Sequence, residues 1–501
     1  MKRYQLIGLC GGLALFFLVL LMPAPAGMPP SAQRTAAVTC LMAAWWMTEA
    51  IPISATGLAP LVLFPLLGIL NSEETGANYG EDGVLLLTGG FFIAKSIESN
   101  NLHRRIALVI LNRGGVDRAR VLLSFMAVTA FLSLWMANVT TTLMMLPIAL
   151  AIVSKDDAAG TDSNGFAPAL MLGIAWAATI GGCGTLVGTP TNVILVGVLK
   201  NLYPEAPPIT FLTWMAFGIP MVLLMIPVTW YYLKRMCRLE GAISGGQSVI
   251  ADELAELGPM TTPEKRVLVI GILTALAWLF RADIHLDSVV IPGWASLLGV
   301  QDQVHDATVA MCAALLLFTL PAGKTKGKDE PPRRLLTMQA AKTIPWDIMF
   351  IVGGGYALAD AYEATGLVVW LGQELAFVVS LPTILMLFFV ILAIVLITEI
   401  NSNTATANVC LPILGAMAVA GGVHPLLLMI PGTVACSYAW MLPSGTGGNA
   451  AVFASGKLTI GQMIRYGFFL NFISIPVMVL VAYLIIVPLF GLSGGTPAWA
   501  Q

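Results

Sequence analysis

Along the chain, apolar runs of near-spanning length recur from Leu6 to Phe490, divided by short polar or basic segments. A helix crossing the ~30 Å hydrocarbon layer needs about 20 such residues, so the pattern predicts an all-α polytopic membrane protein. The expected spans are 6–22, 36–48, 53–70, 83–98, 168–199 and 209–233, then 266–280, 306–321, 346–359, 424–456 and 463–490. That makes about 11 transmembrane helices, the shorter spans extending into their polar flanks. Two more apolar segments, 121–153 and 384–420, carry a polar cluster at their centre and are expected to be re-entrant helical hairpins. The spans 168–199 and 424–456 are also interrupted by polar, glycine-containing stretches.

Composition sharpens this picture. Of the 501 residues, 57% are hydrophobic and 10% charged, with a mean hydropathy of +0.85; soluble domains carry about a quarter charged residues. A net charge of −2 and the lack of a basic arm leave no case for nucleic acid. The seven cysteines are scattered without a CxxC pair, so neither a disulfide framework nor a zinc site is expected. The start, "MKRYQLIGLCGGLALFFLVLLMPAPAG", imitates a signal peptide but is read as a retained first helix within residues 1–35.

Charge placement then sets a topology. With a cytoplasmic N-terminus, Lys2, Arg3, Arg104, Arg105, Arg113, Arg118, Arg120, Lys155, Lys234, Arg235, Arg238, Lys265, Arg266, the 324–342 group, Lys457 and Arg465 all fall inside. Of the 25 basic residues only Arg34, Lys200 and Arg281 fall outside, and Lys95 lies within a span. Making either hairpin a single crossing would move basic clusters outside, so the positive-inside rule favours re-entrance. The polar segment 239–264 is expected to be a cytoplasmic linker between a first repeat, 36–238, and a second, 265–490, with 491–501 as a tail.

The two halves overlay. "WMANVTTTLMMLPIAL" (135–150) matches "INSNTATANVCLPILG" (400–415), setting Asn138 on Asn403 and Pro147 on Pro412. "GTPTN" (188–192) matches "GTGGN" (445–449), setting Thr189 on Thr446 and Asn192 on Asn449. The hairpins enter from opposite sides, so the repeats are inverted. Polar interruptions at corresponding places of two halves point to a transporter binding site at mid-membrane. Free carbonyls and amide oxygens at such breaks suit sodium; hydroxyls, amides and helix N-termini suit carboxylates. Glu399 is the nearest charged residue, which argues against a carboxylate proton relay and against arginine pairing.

At these residues, "SNTATANVCLPI", "GTPTN" and "IESNNLHRRIAL", the sequence resembles the divalent anion/sodium symporter family of di- and tricarboxylate transporters, from about Trp45 to Leu489. The resemblance implies a homodimer in which a scaffold domain holds a transport domain that slides elevator-fashion. It implies one sodium site at Ser133, Asn138 and the carbonyls around Ala137 and Gly188. The other would use Thr398, Asn403 and the carbonyls near Asn401 and Gly445. Substrate carboxylates would meet Asn138 and Thr189 on one side, and Ser402, Asn403, Thr404 and Thr446 on the other. The first tip departs from the family's Ser-Asn-Thr, reading Ala137-Asn138-Val139, and Thr140 replaces the lost hydroxyl only if the tip shifts by one residue. The second break lacks the proline of the first.

The function expected is sodium-coupled import of succinate-, malate- or fumarate-type dicarboxylates, with no organic cofactor, across a plasma membrane of bacterial inner-membrane type. The alternative is sodium-independent exchange, or carriage of citrate, 2-oxoglutarate or sulfate. Simpler roles stay open for single residues. Ser402-Asn403-Thr404 could cap a helix starting near Ala405, Ser133 and Thr398 could bond back to their own helices, and Lys95 could snorkel. His103, His285, His305 and His424 lack metal-ligand spacing, Glu49 ends a helix or braces the scaffold, and Trp45 and Trp46 read as interface anchors. No HExxH or GxSxG motif supports an intramembrane enzyme.

Overall fold

The apolar runs are helical, because in hydrocarbon a helix satisfies its own backbone donors and acceptors. The computed structural model describes residues 3–158, 165–243, 246–286, 289–323 and 333–500. Lys2, Lys324, Lys326 and Lys328, read above as cytoplasmic, lie outside the described residues, as does the His285 side chain. Among the described residues, six helices are long and apolar enough to cross a membrane, including Arg3–Leu21, Phe211–Met236, Thr383–Ile400 and Asn403–Ala420. Shorter apolar helices such as Phe166–Gly182 and Asp306–Thr319 pack among them.

The expected breaks are present. Arg118–Ser133 and Asn138–Ala158 form one helix pair, Thr383–Ile400 and Asn403–Ala420 the other. Phe166–Gly182 resumes at Pro190–Leu202, and Leu426–Ser437 resumes at Gly447–Ala454. Helix Arg3–Leu21 packs along Pro30–Thr48, where the Gln33 amide donates to the Val19 carbonyl at 2.8 Å.

Several elements depart from the sequence reading. Span 53–70 is two pieces, Ile53–Thr56 and Ala59–Leu67, divided at Gly57, where a β-carbon would lie 2.4 Å from the Phe350 carbonyl oxygen. The strands Ile284–Leu286 and Val289–Ile291 pair antiparallel, a small exception to an all-helical chain. The segment 239–264 holds a helix, Gly246–Leu257, in which buried Ile250 docks beside the helices Leu102–Leu111 and Asn138–Ala158. Trp46 is not an interface anchor: it is 1% exposed and its indole donates to the Ile53 carbonyl at 3.0 Å. Glu49 does end its helix, as a left-handed cap at φ 45°.

Charges gather in two layers at the ends of the helices. At one end Lys200 pairs with Glu81 at 2.8 Å and Arg281 with Asp306 at 2.6 Å, while Asp306 also accepts from the Phe211 N–H at 3.0 Å. At the other, Arg118 pairs with Asp156 at 2.9 Å, Arg104 with Glu253, and Arg105 with Glu264 at 2.7 Å. Burial raises the Glu264 carboxyl's proton affinity, but Arg105 and Thr261 outweigh it and leave the group below its ordinary pKa. Lys95, the cation within a span, pairs with Glu98 one helical turn away at 2.8 Å.

Candidate substrate and cation site

Each helix pair breaks at a hydroxyl followed five residues later by an asparagine. In the first, the Ser133 hydroxyl lies 2.9 Å from Asn138 Oδ1 and 2.7 Å from the Ala178 carbonyl. In the second, the Thr398 hydroxyl lies 3.0 Å from Asn403 Oδ1 and 2.6 Å from the Cys436 carbonyl. Neither hydroxyl is spent on its own helix, so the back-bonding role fails. One hydroxyl hydrogen faces two acceptors in each place, so three neutral oxygens converge at each break.

Both tips start their second helix at the asparagine, Asn138 or Asn403. The register is therefore the same, and Val139 rather than Thr140 stands where Thr404 does in the second half. Ser402 sits at the N-cap position without a side-chain cap bond, so plain capping does not explain it. The Ala137 carbonyl accepts from the Thr141 N–H at 3.0 Å, opening the helical ladder, and Asn401 Oδ1 accepts from the Ser402 N–H at 2.8 Å.

The breaks at 182–188 and 439–445 are stitched in one way. The Asn192 amide donates to the carbonyls of Gly182 and Thr185 at 3.0 and 2.7 Å. The Asn449 amide donates to those of Ala439 and Leu442 at 2.9 and 3.1 Å, ten and seven residues back in both cases. Gly188 and Gly445 donate to the same Thr185 and Leu442 carbonyls. Thr189 and Thr446 are the N-caps that follow; Thr446 accepts from the Asn449 N–H at 3.0 Å, while Thr189 makes no cap bond. Gly188 packs so closely that a β-carbon there would lie 2.5 Å from the Gly182 oxygen and 2.9 Å from the Ser133 oxygen.

The halves interlock. The Thr191 hydroxyl lies 2.8 Å from the Ser437 hydroxyl and 3.5 Å from that of Thr189, and the Asn403 amide donates to the Ser437 carbonyl at 3.2 Å. On the other side a β-carbon at Gly447 would lie 2.3 Å from a Val139 methyl, and one at Gly448 would lie 3.0 Å from the Thr142 hydroxyl. Glycine, where the first break has Pro190, thus makes room for Val139. Asn138, Ser402, Asn403 and Thr404 are half-buried, whereas Ser133, Thr398, Thr189 and Thr446 are buried. The tips combine accessible ligand groups with a buried supporting layer.

Glu399 is the charge closest to this arrangement. It is 3% exposed and accepts from the backbone N–H groups of Trp440 and Met441 at 2.8 and 2.9 Å and from the Asn471 amide at 3.0 Å. Among the described residues it forms no ion pair. No group of His, Cys, Asp and Glu among the described residues is arranged to hold a metal ion, and the cysteines are free. Sequence reasoning paired Asn192 with Asn449 without giving them a role, and missed Thr191 and Ser437, which have no counterpart in the matched motifs.

Apolar helices closed by charged layers, with two matched breaks facing each other, define a multi-pass membrane transporter. The chain belongs to the family described as the sodium:sulfate symporter transmembrane region, whose model matches residues 4–492. It is 39% identical to the sodium-dependent dicarboxylate transporter SdcS of Staphylococcus saprophyticus, over 98% of this chain and 93% of that protein. Among solved structures it resembles the Neisseria gonorrhoeae MtrF protein, with a TM-score of 0.54 at 12% identity over 99% of this chain and 96% of that one. The Alcanivorax borkumensis YdaH transporter gives 0.53 at 14%, covering 97% of both. At such identities these two structures speak for the fold alone.

Proposed function

We propose that the protein imports small dicarboxylates of the succinate, malate and fumarate type, driven by sodium entry. The mirrored hydroxyl–asparagine–carbonyl knots carry this reading: Ser133, Asn138 and Ala178 in one half, Thr398, Asn403 and Cys436 in the other. Each gathers neutral oxygens, the ligands a hard cation takes from broken helices. When sodium enters, the hydroxyl hydrogen turns away and the oxygens face the ion, joined by the carbonyls of Ala137 and Gly188 or of Asn401 and Gly445. Two bound cations supply the positive charge that a dianion needs, and the buried Glu399 carboxylate, without an ion pair among the described residues, favours the cation beside it. Asn138, Thr189, Ser402, Asn403, Thr404 and Thr446 then hold its carboxylates. The printed name of the Staphylococcus relative, a sodium-dependent dicarboxylate transporter, supports the same substrate class.

The matched stitching of the two breaks supports inverted repeats, 36–238 and 265–490, joined by the linker 239–264 and containing re-entrant hairpins among about 11 spans. The hairpins and broken helices form a transport domain that moves as an elevator against a scaffold within a homodimer. Arg104, Arg105, Arg118 and Lys155 gather around the linker, which supports a cytoplasmic linker and N-terminus in a bacterial plasma membrane.

Proteoliposomes given an inward sodium gradient are expected to accumulate labelled succinate above its equilibrium level, and choline in place of sodium to abolish the signal. Because the family description names sulfate, unlabelled sulfate belongs beside malate and fumarate as a competitor. Accumulation that persists without sodium would overturn the coupling, and competition by sulfate alone would overturn the substrate class.

A further inference from the structure

We propose that an anionic phospholipid of the phosphatidylglycerol class sits in a crevice between helix Asp82–Ser99, the back of the first tip and helix Thr262–Leu279. The crevice has a volume of about 170 Å³ and is walled by apolar side chains, among them Ile93, Ile97, Phe131, Trp135, Ile272 and Trp278. It offers nothing to a polar solute. The Thr274 hydroxyl donates to the Ile270 carbonyl at 2.7 Å, and the Trp278 indole donates to the Asp306 carbonyl at 2.9 Å, so both polar groups are already satisfied. Ile272 and Phe131 are exposed, so the crevice opens at the outer surface of the molecule, which in a bilayer meets lipid tails.

Its length and its charge identify the occupant. The wall runs along the helix from Val267 to Trp278, roughly 16 Å at the helical rise, which is about half of a ~30 Å hydrocarbon core and so the depth of one leaflet. Gly271 keeps the middle open, since a β-carbon there would meet nothing. The lining residues Leu268, Ile272 and Ala275 lie three, seven and ten positions after Lys265, which places Lys265 at the head of the same helical stripe. Neighbouring charges are engaged: Glu264 with Arg105 at 2.7 Å, and Arg266 with the Pro321 carbonyl. Lys265 is exposed and forms no ion pair among the described residues. A lysine above an acyl-length groove matches a headgroup of net negative charge. A tail lying there touches Leu132, Trp135 and Met136, which line the crevice on the tip that carries Asn138.

The inference does not depend on which anion is transported, and its test reads lipid rather than uptake. The full chain is purified in mild detergent, offered phosphatidylglycerol or phosphatidylcholine, and examined by native mass spectrometry. The wild type is expected to retain phosphatidylglycerol in preference by roughly fivefold, the effect of one lysine at an anionic surface, and Lys265→Gln to lose the preference. Ile272→Trp, which fills the groove, is expected to lower retention of both lipids, with thermal unfolding reporting that it folds. Equal retention of the two lipids by the wild type, or a preference untouched by Lys265→Gln, would overturn the proposal. So would a dimer that covers the groove and that Ile272→Trp splits into monomers.

Discussion

Replacing Glu399 with alanine is expected to cost several kcal/mol of stability, with little folded protein recovered. The carboxylate is buried and acts purely as an acceptor, for the N–H groups of Trp440 and Met441 and the Asn471 amide. These donors hold the segment that turns from helix Leu426–Ser437 towards Gly445. Alanine leaves three buried donors without a partner, at about 1–3 kcal/mol each, which places it among the largest single-residue effects. Glu399→Gln keeps one acceptor oxygen but turns an NH₂ towards the same donors. It is expected to fold with reduced thermal stability and to need more sodium for half-maximal uptake, since the negative charge beside the Thr398–Asn403 knot is gone. Thermal unfolding in detergent and the sodium dependence of uptake separate the two variants. An alanine variant as stable as the wild type would contradict the bracing role.

Gly188→Ala is expected to remove transport through geometry alone. The added methyl would meet the Gly182 oxygen at 2.5 Å, its α-carbon at 2.9 Å and the Ser133 oxygen at 2.9 Å. All three belong to the backbone, so no side-chain rotation relieves them. The break must move away from the first tip, at an overpacking cost of about 1–3 kcal/mol. That movement parts the Ser133 hydroxyl from the Gly188 carbonyl, which are proposed to share a cation. Uptake under a sodium gradient is expected to fall at least tenfold, the equivalent of about 1.4 kcal/mol of lost binding. By contrast, Gly447→Ala meets only a Val139 methyl on an exposed side chain, which can turn aside, so its effect is expected to be smaller. Wild-type uptake by Gly188→Ala would remove this glycine from the site.

The architecture was legible because a bilayer restricts what a polar residue in an apolar run can do. Asn138 and Asn403 had to find partners inside the protein, and their matched placement in the two halves pointed to a common site, whereas Ser133 and Thr398 entered only through the family resemblance. The partners themselves were not legible. Ser133 reaches Ala178 and Thr398 reaches Cys436 on neighbouring helices, and no local rule names a carbonyl on a different segment. The Asn192 and Asn449 stitches were visible as matched letters, but their ten- and seven-residue reach follows from how each break folds back. Trp45 and Trp46 looked alike as neighbours, yet adjacent helical residues face different ways, and Trp46 points inward. The linker helix Gly246–Leu257 carried its own signal: Ile250, Leu254 and Leu257 recur at helical spacing, obscured by the acidic residues between them.

The central claim is that the two tips form one site, and equilibrium binding of labelled succinate to the purified protein tests it most directly. Binding is measured with sodium and with choline for the wild type, Asn138→Ala and Asn403→Ala, each verified as folded. The account predicts saturable, sodium-dependent binding in the wild type and its loss in both single variants, because each asparagine holds a cation and a carboxylate. Sodium-dependent binding of wild-type strength in either variant would contradict it.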